Sequence, residues 1–289
     1  MDRHATNDTP DDHPGAPTKT RHDENFPVAS WLIPKALRPH VHAFYLCVRA
    51  ADDVADAPDL TAARKTELLT AFDAVLRGEA APDEITAPAR THRGSALATD
   101  VTVEHARNLL QAFMMDVTKL RYRNWSELIN YCRYSAAPVG RYLVDLHGES
   151  DAPKRGTDAL CIALQILNHL QDCKDDFLAL DRVYIPEDYL REAGTSVAAL
   201  GDEHASPAMR AVLDRVLDRT DELIIQARTA PPLIQNLGLR LETAVITAIA
   251  ARLSAKLRRQ DPLARRVELS KAETLLAATG GVIRGLVAI

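Results

Sequence analysis

The sequence predicts an all-α protein, and three observations support this fold class. Apolar residues recur with the 3.6-residue period of a helix along most of the chain, and the alternating pattern of strands is almost absent. Leu, Ala and Arg, which favour helices, dominate throughout. Of the 289 residues, 46% are apolar and 26% are charged, so the chain has the composition of a soluble globular protein with a sizeable core.

Proline, capping residues and polar stretches predict where each helix begins and ends. In chain order the predictions are a helix from Pro34 to about Ala57, one from Asp59 or Thr61 to Arg77, a polar loop over 78–95, a helix from about Ala96 to Leu120, one from the capping box at Asn124 to about His147, one from about Thr157 to Leu178, one starting at Ser206-Pro207, a break at Pro231-Pro232, and a last helix with Ser270 and Glu273 as its cap.

The net charge, the cysteines and the first residues of the chain disfavour several classes of protein. A net charge of −5 disfavours nucleic-acid binding, which relies on clustered Lys and Arg. The four cysteines form no C-x-x-C pair and are predicted to be buried thiols in a reducing, cytoplasmic compartment. Residues 1–24 are polar and predicted to be a disordered tail, followed by one helical domain over 25–289. No run of about 20 apolar residues predicts a membrane span.

Two acidic constellations are candidates for chemistry. Asp52, Asp53 and Asp56 lie near the end of the first predicted helix, and Asp172 and Asp176, with Asp175 between them, lie near the end of another. Spacings of four residues place Asp52 with Asp56, and Asp172 with Asp176, on one face of each helix. Carboxylates near a helix C-terminus oppose the helix dipole, so a bound cation explains this placement better than solvated surface charge.

Oxygen-only ligands predict a hard cation, Mg²⁺ with Mn²⁺ as an alternative, shared with substrate phosphates. His169 projects about 100° away from its neighbour Asn168 and is predicted to be packed or on the surface rather than a ligand. Gln165, Asn168, Asp172 and Asp176 follow one helix face at helical spacing, while apolar residues cover the other faces, so this polar stripe is predicted to line a cavity.

Arg49, Arg182 and two tyrosines accompany these acids. Arg49 stands three residues before Asp52, and Arg182 follows the second constellation; each suits either an ion pair or a phosphate contact. Tyr131 and Tyr134 are by default core aromatics, and the small residues after them allow close helix approach or room for a substrate chain.

These motifs resemble the squalene and phytoene synthase family. The first matches A-D-D-V-A-D at 51–56, and the second matches Q-I-L-N-H-L-Q-D-C-K-D-D at 165–176 with R-V-Y-I-P at 182–186. The resemblance implies an isoprenoid-synthase helical bundle with a central active-site cavity. It also implies that Asp52, Asp56, Asp172 and Asp176 bind Mg²⁺, that Asp53, Arg49, Gln165, Asn168, Arg182 and Tyr184 support or contact the diphosphate, and that Tyr131, Asp52 and Asp172 serve catalysis.

Within the family, E-N-F-P-V-A-S at 24–30, Y-C-R-Y-S-A-A-P-V-G at 131–140 and Gln171 resemble members that act in bacterial hopanoid pathways. The implied reaction converts presqualene diphosphate and water to hydroxysqualene and diphosphate. It needs no NADPH, and the chain lacks the G-x-G-x-x-G fingerprint of dinucleotide binding. The implied partners are an isoprenoid diphosphate, a presqualene diphosphate synthase in functional coupling, and a membrane surface.

Three alternatives stay open at this point. The first is a squalene, phytoene or presqualene diphosphate synthase, which condenses two prenyl diphosphates. The second is a non-catalytic assembly protein of the same family. The third is a plain helical scaffold. The intact acidic motifs argue against the last two, because neither role requires a metal site.

Overall fold

The computed structural model describes residues 32–287, and every regular element in this range is a helix. The predicted all-α class is therefore confirmed. The predicted tail at 1–24 and the motif at 24–30 lie outside the described residues. The helices are α1 (Arg38–Asp56), α2 (Ala62–Arg77), α3 (Ala87–Thr99), α4 (Glu104–Asp116), α5 (Trp125–Ser135), α6 (Ala137–Leu146), α7 (Lys154–Gln171), α8 (Cys173–Leu180), α9 (Glu187–Glu192), α10 (Pro207–Ala227), α11 (Leu237–Leu257) and α12 (Lys271–Val287), with short 3-10 turns at Val197–Gly201 and Pro231–Leu233.

Several helix starts follow the predicted capping chemistry. The side chains of Thr61, Asn124 and Ser206 each accept a hydrogen bond from a backbone N–H in the first turn of α2, α5 and α10. Before α12, Ser270 and Glu273 bond reciprocally, as in a capping box. These caps satisfy N–H groups that have no partner within the helix, so a local sequence pattern was enough to predict them.

Other predicted boundaries were wrong. The first helix starts at Arg38 rather than Pro34, with Pro39 in its first turn. The predicted loop at 78–95 contains the start of α3, and the predicted helix from Ala96 to Leu120 is broken at Asp100, whose φ of 55° is left-handed. The predicted helix over 124–147 is divided at Ala136, where φ is −133° and ψ is −48°. Short polar side chains such as Asp tolerate the left-handed region, which ends a helix without Gly or Pro.

The helices enclose two hydrophobic cores. One is formed mainly by α1, α2, α3, α4 and α6 around Phe44, Phe72 and Leu109. The other is formed mainly by α5, α7, α10 and α11 around Ile166, Leu167 and Leu217. Helices α6 and α7 pack against each other at the boundary, so the space between the two cores is bounded by helices from both.

Gly140 sets the distance between α6 and α7. A Cβ atom at this position would lie 2.9 Å from Cys161 Sγ and 3.2 Å from Thr157 Cβ, so a larger residue would push the helices apart. Close helix approach, one of the two roles predicted for the small residues at 136–140, is confirmed at Gly140. All four cysteines are free thiols; Cys47, Cys132 and Cys173 are buried as predicted, whereas Cys161 is only partly buried. Among residues 32–287, no helix combines the length and apolarity that crossing a membrane requires.

Candidate active site

A cavity of about 270 Å³ lies between the two cores, among α1, α6, α7 and α11. Its wall is largely apolar and includes Val41, Phe44 and Val48 of α1, and Leu160 and Leu164 of α7. Such a mostly apolar, concave space suits a hydrophobic ligand. The structure thus contains a central cavity of the kind that the resemblance implies.

On two helices, the predicted polar residues come directly after the cavity residues along the chain. On α1, Arg49 and Asp52 come within about one turn after the cavity residue Val48; on α7, Gln165 and Asn168 come within about one turn after Leu164. Gln165 and Asn168 are half-buried, whereas their neighbours Ile166 and Leu167 are buried. Both helices therefore pass from apolar cavity residues to polar residues toward their C-terminal ends, and the polar stripe predicted to line a cavity lies beyond the cavity wall.

Arg49 organises the first acidic constellation. Its guanidinium donates to Asp52 Oδ2 at 2.8 Å and to Asp53 Oδ1 at 2.6 Å. Asp56 is the last residue of α1, and the final turn of the helix contains no basic residue. The carboxylates therefore oppose the helix dipole as expected, and the Arg49 side chain, only 11% exposed, offsets part of their charge.

The second constellation differs from its prediction, because the helix is interrupted at Asp172. This residue, with φ −105° and ψ 5°, ends α7 and precedes α8. Asp175 and Asp176 consequently lie in the first turn of α8, where the helix dipole favours acids. The expectation that a C-terminal dipole disfavours these two carboxylates was wrong. The kink also interrupts the continuous stripe predicted from Gln165 to Asp176.

Arg266, in the segment before α12, donates a hydrogen bond to Asp172 Oδ1. In the same segment, the Val267 carbonyl accepts a hydrogen bond of 2.6 Å from the Gln171 side chain. The kink between α7 and α8 is therefore held by a segment about 95 residues later in the chain. Sequence reasoning missed Arg266, since it stands in an ordinary basic pair, Arg265-Arg266, without a motif.

Arg182 contacts both constellations. Its backbone N–H donates to the Asp176 carbonyl at 3.1 Å, and its side chain donates to Asp56 Oδ1 at 3.1 Å. Burial disfavours the charge of this guanidinium, but Tyr184, Asp116 and Asp56 outweigh that effect and raise its pKa. The end of α1 and the start of α8 are therefore joined through one permanently charged residue.

Asp116, at the end of α4, is a buried carboxyl beside this arginine. The Tyr131 hydroxyl donates to its Oδ2 at 2.8 Å, and the Arg182 side chain donates to its backbone carbonyl at 3.4 Å. Its Oδ1 is buried and has no hydrogen-bond partner among the described residues. Burial, reinforced by Asp56 and Asp52, raises the pKa of Asp116 to about 7, against the opposing effects of Arg182 and Tyr131.

Sequence reasoning also missed Asp116, although a signal was present. It follows Ala112, Phe113 and two methionines in the predicted helix, and a carboxyl in an apolar run is seldom buried without a role. In the structure Asp116 accepts the hydrogen bond of Tyr131, the residue for which the resemblance implies a catalytic role.

An aromatic cluster packs behind these groups. Tyr184 stacks on His169 with ring centroids 3.4 Å apart and lies 5.6 Å from the rings of Tyr122 and Tyr131. His169 is buried, and burial together with Arg182 lowers its pKa to about 3, so the ring is neutral. The prediction that His169 is a packed side chain is confirmed.

The donors at this site are carboxylate oxygens and amides, the type that hard divalent cations prefer. Among the residues that the structure describes, no three His, Cys, Asp or Glu side chains form a ready metal-binding group. Guanidinium groups instead contact four of the acids, namely Asp52, Asp53, Asp56 and Asp172. Since these carboxylates already attract cations, and Asp116 retains an unpartnered oxygen nearby, the residues present fit a divalent metal.

The fold and site thus define a class: an all-helical protein with an apolar cavity and, farther along two of the helices that line it, an acidic, arginine-rich site. The sequence pattern of the squalene/phytoene synthase family matches residues 19–273. The chain belongs to this family, whose members act on isoprenoid diphosphates.

Its relatives include hydroxysqualene synthases. The chain is 46% identical over 267 residues to the hydroxysqualene synthase of Rhodopseudomonas palustris, covering 91% of this chain and 89% of the relative. It is 42% identical to that of Sinorhizobium fredii, with 90% and 88% covered. Among solved structures, squalene synthase HpnC from Alicyclobacillus acidocaldarius superposes with a TM-score of 0.73 at 31% identity, covering 83% of this chain and 90% of the other.

Proposed function

We propose that this protein is a hydroxysqualene synthase, which converts presqualene diphosphate and water to hydroxysqualene and diphosphate. The observation that carries the proposal is its identity of 41–46% with hydroxysqualene synthases over about nine tenths of the chain. The apolar cavity and the acid and arginine cluster farther along two of its helices support it, because the substrate has a long hydrocarbon part and a charged diphosphate.

The proposed metal ligands are Asp52 and Asp56 of α1 and Asp172 and Asp176 at the junction of α7 and α8. Mg²⁺ held by these carboxylates would act as a Lewis acid toward the leaving diphosphate. Asp53, through its bond to Arg49, would support the first pair.

The arginines would bind the diphosphate group of the substrate. In the structure Arg49, Arg182 and Arg266 neutralise the acids. A planar guanidinium binds phosphate oxygens through paired hydrogen bonds, so these side chains would move from carboxylate to diphosphate when the substrate binds. Gln165 and Asn168 would contribute amide groups from the α7 face. Departure of diphosphate then leaves a carbocation in the apolar cavity.

The cavity and the aromatic cluster would control the fate of that cation. Apolar walls exclude water until the hydrocarbon has rearranged, and the faces of Tyr131 and Tyr184 stabilise positive charge. The Tyr131 hydroxyl is fixed by Asp116, and burial raises its pKa well above the usual range, so it stays protonated. No step of this reaction adds hydride, so no nicotinamide cofactor is required.

The decisive experiment is product analysis by mass spectrometry. The purified protein is incubated with Mg²⁺ and presqualene diphosphate without a reductant, and hydroxysqualene and diphosphate should form. Farnesyl diphosphate or geranylgeranyl diphosphate alone should give no condensation product. Condensation of these substrates, or a strict NADPH requirement, would instead identify a squalene, phytoene or presqualene diphosphate synthase.

A variant pair separates catalysis from an assembly role. Asp52→Asn and Asp172→Asn should abolish turnover while the protein stays folded. Asp218→Asn is the matched control, since this acid is 67% exposed on α10 and pairs with Arg258. If both site variants keep wild-type turnover, the carboxylates do not serve the reaction and the proposal fails.

A further inference from the structure

Helix α12 presents its large apolar side chains outward. Leu275, Leu276, Ile283, Leu286 and Val287 are 69%, 67%, 58%, 48% and 76% exposed. Their spacing, with Thr279 between them, follows one helical stripe. A helix on the surface of a globular protein normally directs such residues toward the core, so this arrangement is the reverse of the usual one.

The packing against α11 explains why the leucines cannot turn inward. The buried residues of α12 are Gly281 and Gly285. A Cβ atom at Gly281 would lie 2.5 Å from Val245 Cα, and one at Gly285 would lie 3.0 Å from the Leu241 side chain. The two helices are therefore in close backbone contact along the glycine face, and a leucine does not fit there.

Basic residues border the apolar stripe. Arg252 and Arg284 line a groove together with Leu276, and Arg228 meets Arg284 in an adjoining groove. Neither Arg228 nor Arg284 has an ion pair among the described residues, and both are exposed. Residues 225–289 contain ten Lys and Arg against four Asp and Glu, although the whole chain has a net charge of −5. This segment therefore has a net charge of +6 (ten minus four), although Arg258 and Arg266 pair with Asp221 and Asp172 outside it.

We propose that the outer face of α12, with Arg228, Arg252 and Arg284, binds the surface of an anionic lipid bilayer. An amphipathic helix of this kind lies in the plane of the interface, with apolar side chains among the acyl chains and basic groups near the phosphates. A second copy of the chain is a poorer occupant, because a symmetric contact would bring two positively charged faces together.

The proposal also fits the position of the cavity. Helix α11 contributes Thr243 and Ile246 to the cavity wall and contacts α12 through Ala244 and Val245. The outer face of α12 is therefore separated from the cavity by two packed helices, α12 and α11. A bilayer that contains a hydrophobic substrate would be held within about two helix diameters, roughly 20 Å, of the cavity.

The test is co-sedimentation with vesicles. Full-length protein should bind vesicles of phosphatidylglycerol and phosphatidylcholine, bind phosphatidylcholine vesicles more weakly, and lose affinity as salt is raised. Leu275→Ser with Ile283→Ser should weaken binding about 100-fold, or about tenfold for each side chain withdrawn from lipid. Arg228→Gln with Arg284→Gln should weaken binding to the anionic vesicles about 30-fold and leave the weak neutral binding unchanged.

Leu97→Ser is the matched control, because Leu97 is 70% exposed on α3, away from this face, and should bind as the wild type. Circular dichroism verifies that each variant folds, and turnover of presqualene diphosphate in detergent should be unaffected by the α12 changes. The proposal is overturned if wild-type protein stays in the supernatant, if the α12 variants bind like Leu97→Ser, or if the α12 variants merely convert a dimer into a monomer. None of these results depends on which isoprenoid reaction the protein catalyses.

Discussion

Replacing Asp116 with Asn should remove a specific pH dependence of stability. The carboxyl is 7% exposed, and burial raises its pKa from 3.8 to about 7. In the folded protein it therefore stays protonated in a range where the unfolded chain has already released the proton. The stability contributed by this group is fully present below pH 3.8 and is lost as pH rises through about 7.

The size of the effect follows from the two pKa values. Their separation corresponds to a total on the order of 4 kcal/mol, and the part lost between about pH 5 and about pH 7 is roughly 2 kcal/mol. The amide of Asn has nearly the same shape and can still accept the hydrogen bond from Tyr131. It does not titrate, so the variant should lack this loss.

Urea denaturation of metal-free protein in EDTA, monitored by circular dichroism at several pH values, measures the effect. The free energy of unfolding of the wild type, minus that of Asp116→Asn, should fall by roughly 2 kcal/mol from about pH 5 to about pH 7. Other titrating groups cancel in this difference. A difference that stays constant with pH would refute the reasoning, because Asp116 would then have an ordinary pKa despite its burial.

Three further predictions concern packing, charge and metal. Gly281→Ala should lower the free energy of unfolding by roughly 1–3 kcal/mol in urea denaturation, because its Cβ would meet the α11 backbone; Gly280→Ala, with no neighbour nearer than 3.7 Å, should raise it by up to about 1 kcal/mol. Arg182→Gln should lower kcat for presqualene diphosphate about 100-fold, with partial recovery in Arg182→Lys, whereas Arg141→Gln, which breaks only the ion pair with Asp158, should retain activity. Excess EDTA should stop turnover and added Mg²⁺ should restore it; undiminished turnover in EDTA would exclude the proposed metal site.

The parts of the fold that sequence predicted well depend on local chemistry. Thr61, Asn124 and Ser206 bond to N–H groups three residues later, so the pattern that predicts the cap is also its physical cause. The breaks at Asp100 and Ala136 contain no glycine, but local signals were present: weak helix formers occupy 99–103, and Pro138 stands in the first turn of α6. The predicted helices were too long because these signals were not used.

The candidate site has a predictable part and an unpredictable part. The residues on α1 and α7 were predictable, because helical spacing determines which side chains share a face. The partners that hold them were not: Arg266 reaches Asp172 across 94 residues, and Arg182 reaches Asp56 across 126. Such contacts depend on how the helices pack, and no local pattern contains that information.

Convergence of the two acidic constellations depends on the short segment after α8. Asp181, at φ 51°, ends the helix in the left-handed region and turns the chain so that Arg182 bonds back to the Asp176 carbonyl. The next residue, Val183, donates to the Leu120 carbonyl at 2.9 Å, which fixes the segment against the connection between α4 and α5. With its backbone held at both sides, Arg182 loses little additional freedom when its side chain pairs with Asp56. The backbone that carries this charge is therefore fixed, so in the proposed reaction only the Arg182 side chain would have to turn from Asp56 to the diphosphate.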